Sequence, residues 1–219
     1  RRSGQEEKVS VKACLLLLNG EVPDAGLVRR AARLCRAVIC ADGGLRHARR
    51  LKLSPDFVVG DMDSLPKPLP RSRAVYSCDF DEAVSDFEKG LDLARQLRCG
   101  KVYVAGALGG RTDHSLVNLS IIERQSRKLE LILLDRGTAQ VLGPGRYLFP
   151  LVRGSLFSLL AAPRAKVSLS GALYALKKAV LESGSRGLSN QAKGPVRLSV
   201  HQGRVWFMGS IIGSAQRSL

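Results

Sequence analysis

Short apolar runs alternate with amphipathic stretches over the first two-thirds of the chain. The runs cover residues 13–18, 37–41, 57–60, 74–77, 101–105 and 129–134. They lack the polar alternation of a half-exposed strand, so they predict strands covered on both faces. Between them, residues 25–35 follow Asp24, a predicted helix N-cap, and residues 84–97 carry Phe87, Leu91, Ala94 and Leu97 at helical spacing. Residues 115–125 form a third helical pattern. Repeated strand–helix–strand order predicts an α/β unit with a doubly wound, mostly parallel, Rossmann-like sheet.

The pattern changes after Asp135. Residues 139–142, 155–160, 166–169, 196–201 and 205–208 read as short strands, with Gly143-Pro144-Gly145 and Gln202-Gly203 as turns. This predicts a C-terminal antiparallel β-sandwich. The expected division is an α/β domain over 9–136 and a sandwich over 137–212, with the polar residues 1–8 as a disordered tail or a remnant of expression.

Hydrophobic residues make up 45% and charged residues 25% of the 219-residue chain, which fits a globular protein with a real core. No apolar run approaches the ~20 residues of a membrane-spanning helix, and 13–18 reads as a first strand, not a signal peptide. The five cysteines, Cys14, Cys35, Cys40, Cys78 and Cys99, include no Cys-x-x-Cys pair and mostly adjoin apolar residues. That predicts free thiols in a reducing cytoplasm, without a disulfide framework or a zinc site. The net charge is +16, and beyond Asp135 only Glu182 is acidic. A basic half can attract nucleic acid. With 5% aromatics and no aromatic–basic interleaving, the reading here is a solvated Arg-rich surface, with no specific nucleic-acid partner and no membrane.

The chemistry concentrates where strands end. Gly60-Asp61-Met62-Asp63-Ser64 follows an apolar strand, and carboxylates at i and i+2 of an extended segment project to one side. Such a pair suits Mg²⁺ shared with phosphate oxygens, although an Asp-rich solvated turn has the same composition. In Ser85-Asp86-Phe87-Glu88-Lys89, Ser85 and Glu88 fit a capping box. Capping leaves Lys89 unexplained, because a cation is poorly placed in a helix's first turn. Asp86 can then reach a metal and Lys89 a phosphate. Gly106-Ala107-Leu108-Gly109-Gly110-Arg111-Thr112-Asp113-His114 joins a strand to a helix; its glycines let backbone N–H groups approach an anion, and Arg111 can grip phosphate. His114 reads equally as a ligand contact or a structural hydrogen-bond partner. Ala41-Asp42-Gly43-Gly44 ends the second strand in the same manner, and loops ending strands of one sheet share an edge.

These elements, in this order and spacing, resemble the thiamine pyrophosphokinases. Pro55-Asp56-Phe57-Val58-Val59 leads into the Asp61 element, and Gly187-Leu188-Ser189-Asn190-Gln191 resembles that family's Gly-x-Ser-Asn element near thiamine. The resemblance implies an α/β nucleotide-binding catalytic domain followed by a thiamine-binding, dimerising sandwich. It also implies transfer of the pyrophosphoryl group of ATP to the hydroxyethyl oxygen of thiamine, releasing AMP, in a cytoplasmic homodimer with shared active sites. On that basis Asp61, Asp63 and Asp86 are the expected Mg²⁺ ligands, and Lys89, Arg111 and Asp113 join them as catalytic residues. Asp42, Gly43, Gly44, Ser85, Gly109, Gly110 and His114 are expected around the nucleotide, and Tyr174, Ser189 and Asn190 around thiamine, with Trp206 in the core.

The chain departs from the family pattern in places. Leu45 and Arg46 follow Ala-Asp-Gly-Gly, where the family has a small residue and Asn. In Asp81-Glu82-Ala83-Val84-Ser85-Asp86, Glu82 stands for Gln, Ala83 for Asp and Ser85 for Thr. Two other readings stay open: a diphosphokinase for another hydroxymethyl heterocycle such as a pterin, and a catalytically degenerate nucleic-acid- or ligand-binding relative.

Overall fold

The computed structural model describes residues 12–62, 73–78, 81 and 83–209, and the backbone of 216–218. In chain order the elements are β1 Ala13–Leu17, α1 Ala25–Ala32, β2 Ala37–Ala41, α2 Gly44–Arg50, β3 Phe57–Gly60, β4 Val75–Cys78, α3 Asp86–Gln96, β5 Lys101–Ala105, α4 Thr112–Gln125 and β6 Glu130–Leu134. β7 Thr138–Leu142, β8 Gly145–Phe149, β9 Leu156–Ala172, β10 Leu176–Glu182, β11 Asn190–Gly209 and β12 Gln216–Ser218 follow.

The fold is mixed α/β, built on one twelve-stranded sheet ordered β10-β9-β11-β7-β6-β5-β1-β2-β3-β4, with β8 and β12 paired off that path. β4, β3, β2, β1, β5 and β6 are parallel neighbours. Consecutive residues of their apolar runs serve opposite faces, as the two-residue period of a strand requires. Leu16, Ile39 and Val104 pack with Phe87, Leu91 and Ala94 of α3 and with Ile121 and Ile122 of α4. Leu15, Leu17, Cys40 and Val58 pack on the other face with Leu27, Val28 and Ala31 of α1 and with Leu45 and Ala48 of α2. Helices on both faces are why β1, β2, β3, β5 and β6 are mostly apolar, whereas β4 at the sheet edge is mostly exposed. α1 starts where expected, with Leu27 N–H donating to Asp24 Oδ1 at 2.8 Å. α2, read from sequence only as a turn, is added by the structure.

Beyond β6 the pairing reverses. β6–β7 and β7–β11 are antiparallel and carry the sheet onward without a break. A third core, with Phe149, Val167, Leu181, Val196 and Phe207, fills this half. Two of the strands are much longer than the sequence suggested. Residues 155–160 and 166–169 belong to β9, and 196–201 and 205–208 to β11; the Gln202-Gly203 turn lies inside β11. As β11 runs from Arg197 to Gly209, its partners in β9 run from Ser170 to Phe157, with shifts of register along the way. Gly203 (φ +73°) lies against the Arg164 carbonyl, 2.0 Å from where a Cβ would stand, so β11 bends there against β9 and continues. β8 and β10 were not expected from the sequence.

One expectation is corrected. Cys14 and Cys99 are joined in a disulfide, leaving Cys35, Cys40 and Cys78 free. The pair is 85 residues apart in sequence, and only the packing of the residues after α3 beneath β1 brings the two together. Among the described residues no helix is long and apolar enough to cross a membrane.

Candidate functional site

Asp42 and Asp61 leave adjacent parallel strands, β2 and β3, whose ends are in register at Ala41↔Val59. Asp42 N–H donates to the Val59 carbonyl at 2.8 Å, which ties the two strand exits together. Asp86 arrives from a third direction as the first residue of α3. Gly60 (φ +134°) makes the approach possible: a Cβ there would lie 3.0 Å from Asp86 Cγ and 3.1 Å from Asp42 Cβ. One carboxylate oxygen from each of Asp42, Asp61 and Asp86 lies within 4.8 Å of the others.

The electrostatics of this group are unfavourable without a cation. Asp42 is only 6% exposed, and among the described residues its buried Oδ1 has no hydrogen-bond partner. Burial raises the Asp86 pKa, and the charges of Asp61 and Asp42 raise it further, against the lowering effect of Lys89. Lys89 Nζ lies 3.4 Å from Asp86 Oδ1 with only 8% of its side chain exposed. This accounts for a lysine in the first turn: the acids offset the helix dipole's objection to it. A divalent ion suits the remaining negative charge, because its oxygen ligands would include the orphaned Asp42 atom.

Ser85 caps α3, accepting from Glu88 N–H at 3.3 Å and donating to Glu88 Oε2 at 3.0 Å. Glu88 also pairs with Arg124 of α4, so its role here is structural. The glycine-rich loop after β5 faces the acids across a cleft of about 840 Å³. Gly110 (φ +68°) has open space where a Cβ would stand, so its glycine identity serves the left-handed backbone alone. Asn118 Nδ2 donates to the Ala107 carbonyl at 2.8 Å and fixes this loop to α4. Arg111 is largely exposed and pairs with Asp113 at 2.6 Å. That hydrogen bond, followed by one from the His114 N–H, lowers the Asp113 carboxyl pKa to about 2.

The cleft thus gathers Asp42, Asp61, Ser85, Asp86, Lys89, Gly109, Gly110, Arg111 and His114. Asp113 does not line it; it holds Arg111 from outside. Gly43 and Gly44 support the loop from beneath, Gly43 against the Asn19 side chain and Gly44 against the Leu17 carbonyl. Asp63 and Glu82 lie outside the described residues. Tyr174, Ser189 and Asn190 stand on the antiparallel half and do not line the cleft. Asn190 is buried, and its amide is spent on backbone: Oδ1 accepts from Tyr174 and Gln191 N–H, and Nδ2 donates to the Tyr174 carbonyl. Tyr174 itself is exposed. Trp206 is core, its indole N–H donating to Glu123 at 2.6 Å.

Sequence reading missed Asn19, Asp81 and Asn118, which also line the cleft, and it left Asp42 out of the acid group. Asn19-Gly20 closes the first strand with the polar-plus-glycine chemistry that flagged Asp42, so a signal existed. Asn118, one turn or more inside a helix, gave none.

Residues 28–133 match the family described as "Thiamin pyrophosphokinase, catalytic domain". The chain is 27% identical to Thiamine pyrophosphokinase 1 of Oryza sativa subsp. japonica, over 59% of this chain and 58% of that protein. It therefore spans a little over half the length of that relative. Its fold is shared with a thiamine pyrophosphokinase from Bacillus subtilis, with TM-score 0.77 and 19% identity over 92% of this chain and 100% of that one. A thiamin pyrophosphokinase from Candida albicans superposes with TM-score 0.75 and 16% identity over 93% and 91% of the two chains.

Proposed function

From the match of residues 28–133 to the family described as "Thiamin pyrophosphokinase, catalytic domain", we propose that the chain is a member of that family and transfers the pyrophosphoryl group of ATP to the hydroxyethyl oxygen of thiamine, releasing AMP. The observation that carries this is the meeting of Asp42, Asp61 and Asp86 across a cleft from Gly109, Gly110 and Arg111. Phosphoryl-type transfer asks a protein for in-line positioning and charge neutralisation more than covalent chemistry.

Asp42, Asp61 and Asp86 would hold Mg²⁺, and Asp63, two residues along the chain from Asp61, is proposed as a further ligand from its place in the sequence. Bound there, the ion would neutralise phosphate oxygens and draw charge from the bond being broken. Lys89, buried against Asp86, supplies a fixed positive charge on the acid side. Arg111 supplies one on the glycine side, oriented by Asp113. The N–H groups around Gly109 and Gly110 bind phosphate oxygens at the start of α4. His114, in the first turn of that helix, contacts the nucleotide.

The catalytic unit is the α/β domain of residues 9–136, and residues 137–212 form a sandwich that pairs two copies. Tyr174 and Ser189 of a second copy complete the thiamine side, with Asn190 shaping the loop that presents them. The enzyme works as a cytoplasmic homodimer. The test is AMP release from ATP and Mg²⁺ with and without thiamine, with a hydroxymethylpterin as the competing acceptor. Thiamine-dependent AMP formation is expected; AMP formed only with the pterin, or none at all, would overturn the assignment.

A further inference from the structure

A second cavity, of about 680 Å³, lies between the end of α4, the start of β6 and the β7–β8 turn. It is far from the acid cleft. β6 is parallel to β5 and β1, so Leu129 and Glu130 at its amino end mark the edge of the sheet opposite Leu18, Asp42 and Gly106. α4 spans the distance, about 21 Å for its fourteen residues. Its first residues line the cleft, and Ser126 and Arg127 just beyond its end line the cavity.

We propose that this cavity binds a small organic phosphate, its anionic group held by Arg127, Lys128 and Arg204 and its apolar body resting on Leu142 and Tyr147. The proposal is independent of the phosphotransfer reading. Neither the Arg127 nor the Lys128 side chain has an ion-pair partner among the described residues. The lining carboxylate, Glu130, is engaged by Lys101 at 3.2 Å. Arg204 donates to the Glu123 carbonyl at 2.5 Å and to Ser126 Oγ. Cations commonly gather at a helix C-terminus to complement its dipole. Arg204 alone satisfies that need here, which leaves Arg127 and Lys128 in excess.

The independent observation is Gln140. It lines the cavity, is 5% exposed, and its amide makes no hydrogen bond among the described residues. Its amide atoms are not among the buried unpartnered ones, so they open onto the cavity, where a ligand with a polar edge would meet them. Burial lowers the Arg204 pKa and the charge of Arg127 lowers it further, with Glu123 acting against both; a bound phosphate would relieve that repulsion. Tyr147 O–H donates to the Gly143 carbonyl at 2.9 Å and braces the turn forming one wall.

The experiment uses the chain's single tryptophan. Trp206 and Arg204 both bond to Glu123, so indole fluorescence reports on this cavity. The full chain is titrated with phenyl phosphate, with inorganic phosphate as the anion alone and phenol as the apolar body alone, all without Mg²⁺. A saturable change is expected with phenyl phosphate, at least tenfold tighter than with either fragment. Arg127→Gln/Lys128→Gln is expected to weaken it at least tenfold. Gln140→Leu is expected to weaken it severalfold with no loss of thermal midpoint, and Arg111→Gln should leave it unchanged. No saturable change overturns the proposal, as does equal binding by the double variant. A loss caused by Arg111→Gln instead assigns the probe to the acid cleft and equally overturns it.

Discussion

The backbone of Gly60 runs so close beneath the carboxylate of Asp86 that a methyl group at position 60 would lie 3.0 Å from Asp86 Cγ. The same methyl would press on Asp42, so one small substitution moves two of the three clustered acids. The left-handed φ of +134° adds strain of ~1–3 kcal/mol for any side chain. Gly60→Ala is therefore expected to cut AMP release by at least tenfold while the protein still folds with a lowered thermal midpoint. Near-normal turnover would mean that the acids need not meet as closely as the structure places them.

Asp42 tests the cation reading separately. Its buried Oδ1 has no partner among the described residues, and its charge faces Asp61 and Asp86. Without metal, Asp42→Asn removes repulsion, so its melting temperature should equal or exceed that of the parent. With Mg²⁺ the order should reverse, because an ion stabilises the folded state in proportion to RT ln(1 + [L]/Kd), ~2.7 kcal/mol at a hundredfold excess over Kd. Thermal melts with and without Mg²⁺ measure this, and the same Mg²⁺-induced shift in both proteins would remove Asp42 from the metal site.

Arg111 and Asp113 form an exposed pair, and exposed pairs contribute little to stability. Their expected value is orientation of the guanidinium toward the cleft. Asp113→Asn should leave the melting temperature within a degree or two. It should raise the KM for ATP severalfold, with Asp113→Glu partly restoring it. A change in kcat alone would point to a direct part for Asp113 in the chemistry.

His47 makes acid stability testable. Its Nε2 lies 2.7 Å from the Gly20 carbonyl. Burial lowers its pKa from 6.5, with Arg50 and Arg46 adding to the effect and the backbone hydrogen bonds opposing it. The unfolded chain then takes up the proton first as pH falls. The stability His47 contributes is full above about 6.5 and is lost as pH drops from there toward its lower folded pKa. Urea midpoints between pH 7.5 and 5 should fall for the parent and fall less for His47→Gln; parallel slopes would show that His47 takes up its proton equally in the folded and unfolded states.

Asn190 should behave as a structural residue. Its amide satisfies three backbone groups while being only 3% exposed, so Asn190→Ala should cost ~2–4 kcal/mol. Ser189→Ala should cost little and act on the thiamine KM. A shared site predicts a further result. Asp61→Asn mixed with an inactive Ser189 or Tyr174 variant should regain roughly a quarter of parental activity, since random exchange rebuilds one intact site in half the dimers. Mixtures that exchange subunits yet stay inactive would confine the site to one chain.

The sequence by itself determined the parallel half and most of its chemistry. Strands buried on both faces are apolar almost throughout, so 37–41, 57–60 and 101–105 were legible to the residue. Polar and glycine residues at strand ends marked the loops that share the cleft. The tertiary structure decided what depends on distance along the chain. Pairing between β9 and β11 carries both strands through Pro163 and Gly203, where local alternation breaks and the sequence reads an end. Cys14 and Cys99, 85 residues apart, meet through packing alone. Asp42 joined the acid group because β2 and β3 lie side by side and Gly60 leaves room for α3. The grouping of three carboxylates is a property of sheet order and one missing Cβ, which no local pattern of residues encodes.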